Sequence, residues 1–95
     1  MKLREKLMYM KQGKRSIREF VREIEVLGRR FRDVGERAII QIFWHGIHSN
    51  LQTALLRRGL NPERDDLNRL IQDAIYEEEA NERATRNLAG PSNQV

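Results

Sequence analysis

His45 and His48 are the residues most able to ligate a metal or carry a proton, and they stand at His-x-x-His spacing in Trp44-His45-Gly46-Ile47-His48. Two imidazoles leave a metal centre short of donors. The chain has no cysteine, and no carboxylate cluster completes the pair, so neither a metal nor another cofactor is expected. Asp65-Asp66 and Glu77-Glu78-Glu79 could act as paired acids. The first pair suits a helix start and the second an exposed polar helix face. Ser16 and Ser49 read as helix caps, since neither has a neighbouring base nor the strand-turn-helix elbow of an activated serine. The glycines lack phosphate-loop spacing. These residues predict a non-enzymatic domain without a small-molecule substrate.

Charge is the next feature that could act on a partner. The net charge of +4 hides an asymmetry. Residues 1–35 hold eleven Lys and Arg against five Asp and Glu, whereas residues 36–95 hold seven against nine. Lys14, Arg15, Arg18 and Arg22 form a candidate nucleic-acid contact, because clustered cations release counterions on binding a polyanion. No aromatic residue interleaves with them to stack on bases, so a plain solvated helix face explains them too. A third reading sets the basic half of one subunit against the acidic half of its neighbour.

The elements that position these groups are helices. Leu3, Leu7 and Met10 follow helical spacing, so residues 2–11 read as a short helix that stops at Gly13. Gly13 can take positive φ, letting Gln12-Gly13 turn the chain before Ser16. Ser16 and Glu19 make a Ser-x-x-Glu capping box, and Ile17, Phe20, Val21, Ile24 and Leu27 place one apolar stripe on the helix over about 16–31. Val34-Gly35 breaks it. A third helix spans 36–45 and closes at Gly46. A fourth runs from Ser49 to Arg58, capped by Ser49 or Asn50 and stopped by Gly59. Asp65 or Asp66 caps a last helix carrying Leu67, Leu70, Ile71, Ala74 and Ile75, which then continues outward through polar residues 77–87. The domain therefore spans residues 1–88, with 89–95 as a disordered tail.

The third helix carries more apolar surface than one core face needs. Ile39, Ile42, Phe43 and Gly46 make one face, while Ile40, Trp44 and Ile47 make a second, rotated by about 100°. Tryptophan is enriched among interface hot spots. Ile40, Trp44 and Ile47 are therefore a candidate dimer interface, the alternative being that Trp44 folds back on the first helix near Leu7 or Tyr9.

A chain of 95 residues with 39% apolar and 34% charged residues builds one small core and gains from self-association. It contains no apolar run of the roughly 20 residues that span a bilayer and no signal-peptide pattern at Met1-Lys-Leu-Arg. A cytoplasmic protein without a membrane partner is expected.

Gln12, Gly13, Ser16, Glu19, Phe20, Val21 and Ile24 together resemble the major homology region of retroviral and retrotransposon Gag capsid proteins. Phe43-x-x-Gly46-Ile47 looks like the Phe-x-x-Gly-Leu element of Ty3/Gypsy-type Gag, and Leu67-x-x-Leu70-Ile71 with Ala74 resembles the last helix of that domain. Retroviral regions usually carry an acid soon after Gln-Gly and an arginine inside the helix. Arg15 or Ser16, and Glu23 with Arg22 beside it, stand at those places here, so the retroviral polar network does not carry over unchanged. Glu19 can replace part of it.

The resemblance implies an all-α capsid C-terminal domain of four to five short helices. Its implied task is self-association, as a homodimer and in a higher capsid lattice, within a cytoplasmic, intracellular retrotransposon or virus-like particle. RNA would be a partner in the context of full-length Gag, where a zinc knuckle lies further along. A domesticated host interaction module of the Arc or SCAN type fits the same residues.

Overall fold

The computed structural model describes the backbone of residues 2–89 and the side chains of residues 2–86. Five helices follow one another: α1 Leu3–Met8, α2 Ile17–Gly28, α3 Glu36–Gly46, α4 Ser49–Arg57 and α5 Leu67–Ala89. No strand occurs among the described residues. The fold is the expected all-α bundle.

The core gathers the apolar stripes of all five helices. Leu7, Ile17, Phe20, Ile24, Phe43, Leu51, Leu55, Leu70 and Ala74 are all but sealed from solvent. Phe20 and Phe43 stack with ring centroids 6.4 Å apart, joining α2 to α3 at the centre. Burying two such rings is a large part of what a domain this small can draw on. Two contacts fix the direction of packing: Leu67 and Ile71 lie beside Ile24 and Glu25, while Glu78 reaches Ile17. Helices α2 and α5 therefore run in opposite directions. The longest dimension of the molecule is 57 Å, because the end of α5 projects beyond the bundle.

The capping box of α2 is formed. Glu19 N donates to Ser16 Oγ at 3.1 Å, and Ser16 N donates to Glu19 Oε1 at 2.9 Å. These bonds hold the Glu19 carboxyl below the usual glutamate range, the Ser16 backbone N–H being the largest cause. A group with a depressed folded pKa stabilises the fold above its unfolded pKa, and that contribution fades as pH falls through the folded value. The box is therefore expected to weaken in acid, below about pH 4. Ser16→Ala should lower stability by about 1 kcal/mol in urea denaturation.

The end of α4 is also built as its sequence implies. Gly59 takes φ +86, Leu60 N donates to Leu55 O at 3.0 Å, and Gly59 N donates to Leu56 O at 2.9 Å. This is a Schellman closure, with Leu60 buried near Leu55.

Several boundaries differ from the sequence expectation. Helix α1 is shorter than 2–11, ending at Met8. Helix α2 ends at Gly28, and Arg30 N and Phe31 N make tight three-residue turns to Leu27 O and Gly28 O. The N-cap of α4 is His48, not Ser49 or Asn50: its backbone is extended while its carbonyl accepts the first helical bond from Gln52 N, and its N–H is held from outside by Gln12 Oε1 at 3.0 Å. Asp66 does cap α5, accepting from Arg69 N at 2.9 Å, while Asp65 instead accepts from Asn61 N. Ala89, expected in the tail, closes α5. Residues 90–95, the rest of that expected tail, lie outside the described residues.

Candidate functional site

Gln12 organises the loop between α1 and α2. Its side chain is fully buried and makes three hydrogen bonds to three different parts of the chain. Nε2 donates to Arg15 O at 2.9 Å and to Glu78 Oε2 at 3.1 Å, while Oε1 accepts from His48 N. The Gln12 backbone N–H donates to Gly46 O at 2.8 Å. A buried amide carries a cost unless it is satisfied, and this one ties its own loop to the α3–α4 junction and to α5. Gly13 supplies the turn, with φ +58.

Glu78 completes this node. Its carboxylate accepts from Ile17 N at 3.0 Å and from Gln12 Nε2, so α5 supplies an anion to the first turn of α2. A helix N-terminus favours negative charge. The start of α2 therefore has two acid partners, Glu19 from its own first turn and Glu78 from the last helix. Glu77 and Glu79 are engaged as well, with Arg58 and Arg18 respectively. The acidic run is a docking edge of α5, which corrects the expectation of a solvated face. The sequence does carry a signal for Glu78: Leu67, Ile71, Ala74 and Glu78 share helical spacing, so the acid continues the apolar stripe. Glu78→Ala should cost about 2 kcal/mol, more than Ser16→Ala, because it leaves the Ile17 N–H and the buried Gln12 amide short of an acceptor. Chemical denaturation of the two variants side by side checks the order.

The histidine pair is used structurally. His48 Nε2 lies 2.6 Å from Gly13 O, bracing the turn, while His45 contributes its backbone carbonyl to Lys11 Nζ at 3.1 Å. Among the described residues no group of three or more His, Cys, Asp or Glu side chains converges as a metal site.

The candidate nucleic-acid residues are partly neutralised. Arg15 pairs with Glu23, and Arg18 pairs with Glu79 at 3.1 Å. Arg15 also donates to Lys11 O and Gln12 O. Lys14 and Arg22 are exposed, with no salt bridge among the described residues. Four cations close in sequence thus contribute about two open charges. An open groove of about 770 Å³ beside them is lined by both signs, including Lys14, Arg15, His48, Glu19, Glu78 and Glu82.

The candidate dimer residues do not share one exposed face. Ile40 and Ile47 are only 3% and 5% exposed and belong to the core of the single chain. The second apolar face of α3 is thus largely turned into the core of the same chain. Trp44 is partly buried and keeps some surface. Arg37, Gln41 and Trp44 follow i, i+4, i+7 spacing on the outer ridge of α3, where Arg37 reaches Pro62 O and Gln41 reaches Glu63 Oε2.

A buried Gln-Gly turn feeding a capped helix, with a glycine at the end of the next helix, is the arrangement expected of a Gag capsid domain. A family model described as PEG10/RTL1, C-terminal capsid-like domain, matches residues 4–80. The chain belongs to this family of Gag-derived capsid-like domains. No curated protein and no solved structure gave a match. In this PEG10/RTL1-type domain the matched span runs from α1 to just past Glu78 and Glu79, so it contains both ends of the Gln12–Glu78 contact. Beyond it α5 continues for nine residues with exposed side chains through Arg86. No helix among the described residues is long and apolar enough to cross a membrane.

Proposed function

We propose that this domain is a structural assembly module that associates with a second copy of itself as part of a cytoplasmic Gag-like particle. The observation that carries the reading is the outer ridge of α3. There the partly exposed Trp44 stands in line with Gln41 and Arg37, flanked by Glu63. An aromatic anchor within a polar rim is the usual composition of a protein interface. The rim carries both signs, and the Arg37–Glu63 pair is long at 3.5 Å and well exposed on both partners. It can be exchanged for the same pair across a two-fold axis, where one patch meets its own copy. Ile40 and Ile47 support this ridge from the core and do not contact the partner.

Sedimentation across a concentration series tests the reading. The expected result is a dimer whose dissociation constant rises at least tenfold in Trp44→Ala, with helical content unchanged. A wild-type chain that remains monomeric at high micromolar concentration would remove the proposal.

The match to a family described by PEG10/RTL1 favours a second, finer reading over an active Ty3/Gypsy element. In it the same surface serves a Gag-derived host protein as an interaction module. The surrounding reading frame decides: protease and reverse transcriptase downstream indicate an element, and their absence from the gene indicates domestication.

A further inference from the structure

Hydrogen bonds at both ends place α4 and the loop after it beside the outer ridge of α3. Gln52 Nε2 donates to Trp44 O at 2.6 Å, near the end of α3, and Arg37 reaches Pro62 O at 2.8 Å, near its start. Between them Gln41 Nε2 donates to Glu63 Oε2 at 3.2 Å. The chain from Gln52 to Glu63 therefore runs back along that ridge as a second row. Leu56 lies one turn after Gln52, about 6 Å further along the same side of α4. Leu51 and Leu55 take the core side of that helix, and Leu56 stays 53% exposed. The other large apolar side chains left exposed stand elsewhere: Leu3, Met8 and Tyr9 on or beside α1, Val26 on α2, and Tyr76 on α5, whose ring Arg58 covers at 4.6 Å. Leu56 is thus the exposed apolar side chain that borders the Trp44 ridge.

We infer that Trp44 packs against Leu56 of a second copy, in a two-fold contact whose axis runs between the α3 ridge and α4. The inference rests on the self-association proposed above and specifies the surface that receives the tryptophan. A two-fold axis lying in the plane of a contact brings each row of side chains onto the opposite row of the partner. Arg37 belongs to the α3 row and Glu63 to the row that follows α4, so exchanging their pair between copies sets the axis along the strip between them. The same operation lays the far end of the α3 row, Trp44, on the α4 of the partner. There Gln52 is already bonded, and Leu56 offers the apolar area. Another copy fits because one face carries both members of the charge pair, in the order that its own two-fold image requires. A partner of a single charge sign would set one member against its like.

The test follows association of the whole 95-residue chain by sedimentation and by the fluorescence of Trp44, its one tryptophan. Each contact occurs twice in a two-fold dimer, so Leu56→Ser should raise the dissociation constant about tenfold or more. It should also diminish the shift of Trp44 emission to shorter wavelength on association. Val26→Ser, at a similarly exposed site on α2, should change neither. Charge reversal reads the axis: Arg37→Glu and Glu63→Arg should each weaken association, and the two variants mixed should pair more tightly than either does alone. Circular dichroism checks the fold of every variant. An unchanged dissociation constant in Leu56→Ser would overturn the inference while leaving the assembly proposal in place, as would a mixture that pairs no better than its components. A wild-type chain that stays monomeric at high micromolar concentration would remove both.

Discussion

Phe20→Ala is expected to remove about 3–5 kcal/mol of stability and leave much of the chain unfolded at 37 °C. Phe20 is sealed from solvent and stacked on Phe43, and a chain of this length has only about 5–14 kcal/mol to lose. Truncation removes the transfer free energy of the ring. It also leaves a cavity between α2, α3 and the loop after α1, where backbone bonds to Gly46 and His48 hinder collapse. Urea denaturation followed by circular dichroism measures the loss. A change below about 1 kcal/mol would show that Phe20 is not the central anchor.

Gly46→Ala should have a comparable effect for the opposite reason. A Cβ on Gly46 would overlap Cζ of Phe20 and lie 2.7 Å from the backbone oxygen of Met10. A side chain can turn away, but the Met10 carbonyl belongs to the segment that Gln12 N–H clamps onto Gly46 O. Relief therefore requires backbone movement, at about 3 kcal/mol or more. The two predictions are coupled. Phe20→Leu, which shortens the ring side, should make Gly46→Ala less damaging than in the wild type, and a double-mutant cycle would report that interaction directly. Strict additivity would mean that the Met10 carbonyl alone sets the penalty.

Much of this fold was legible because local chemistry and tertiary packing agree. The Ser16–Glu19 box, the positive φ of Gly13 and Gly59, and the stripes of α2 and α5 are short-range signals, and each does in the structure what its spacing implies. Gly46 is not the C′ residue outside α3 that its position suggests, and it does not take positive φ. It is the last residue of α3, and its lack of a side chain serves close packing on Phe20 and Met10.

Partnerships across the chain were not legible. Nothing local to Arg18 distinguishes a free cation from one paired with Glu79 sixty-one residues away. Ile40 and Ile47 illustrate the same limit from the apolar side. A helix with apolar residues on two faces needs two covers, and periodicity does not say whether the second comes from the same chain. Here the same chain supplies it.

The reach of Glu78 to Ile17 bears on the time course of folding. The contact spans sixty-one residues, so it forms only once α5 has docked and the chain-closure entropy has been lost. The first turn of α2 can form earlier on its own capping box, and the carboxylate from α5 arrives afterwards as a fastening. A contact made after the transition state leaves the folding rate almost untouched and slows unfolding instead. Stopped-flow measurements on Glu78→Ala should therefore show the whole change in the unfolding limb. The domain would be held together less by how readily it forms than by how slowly it opens.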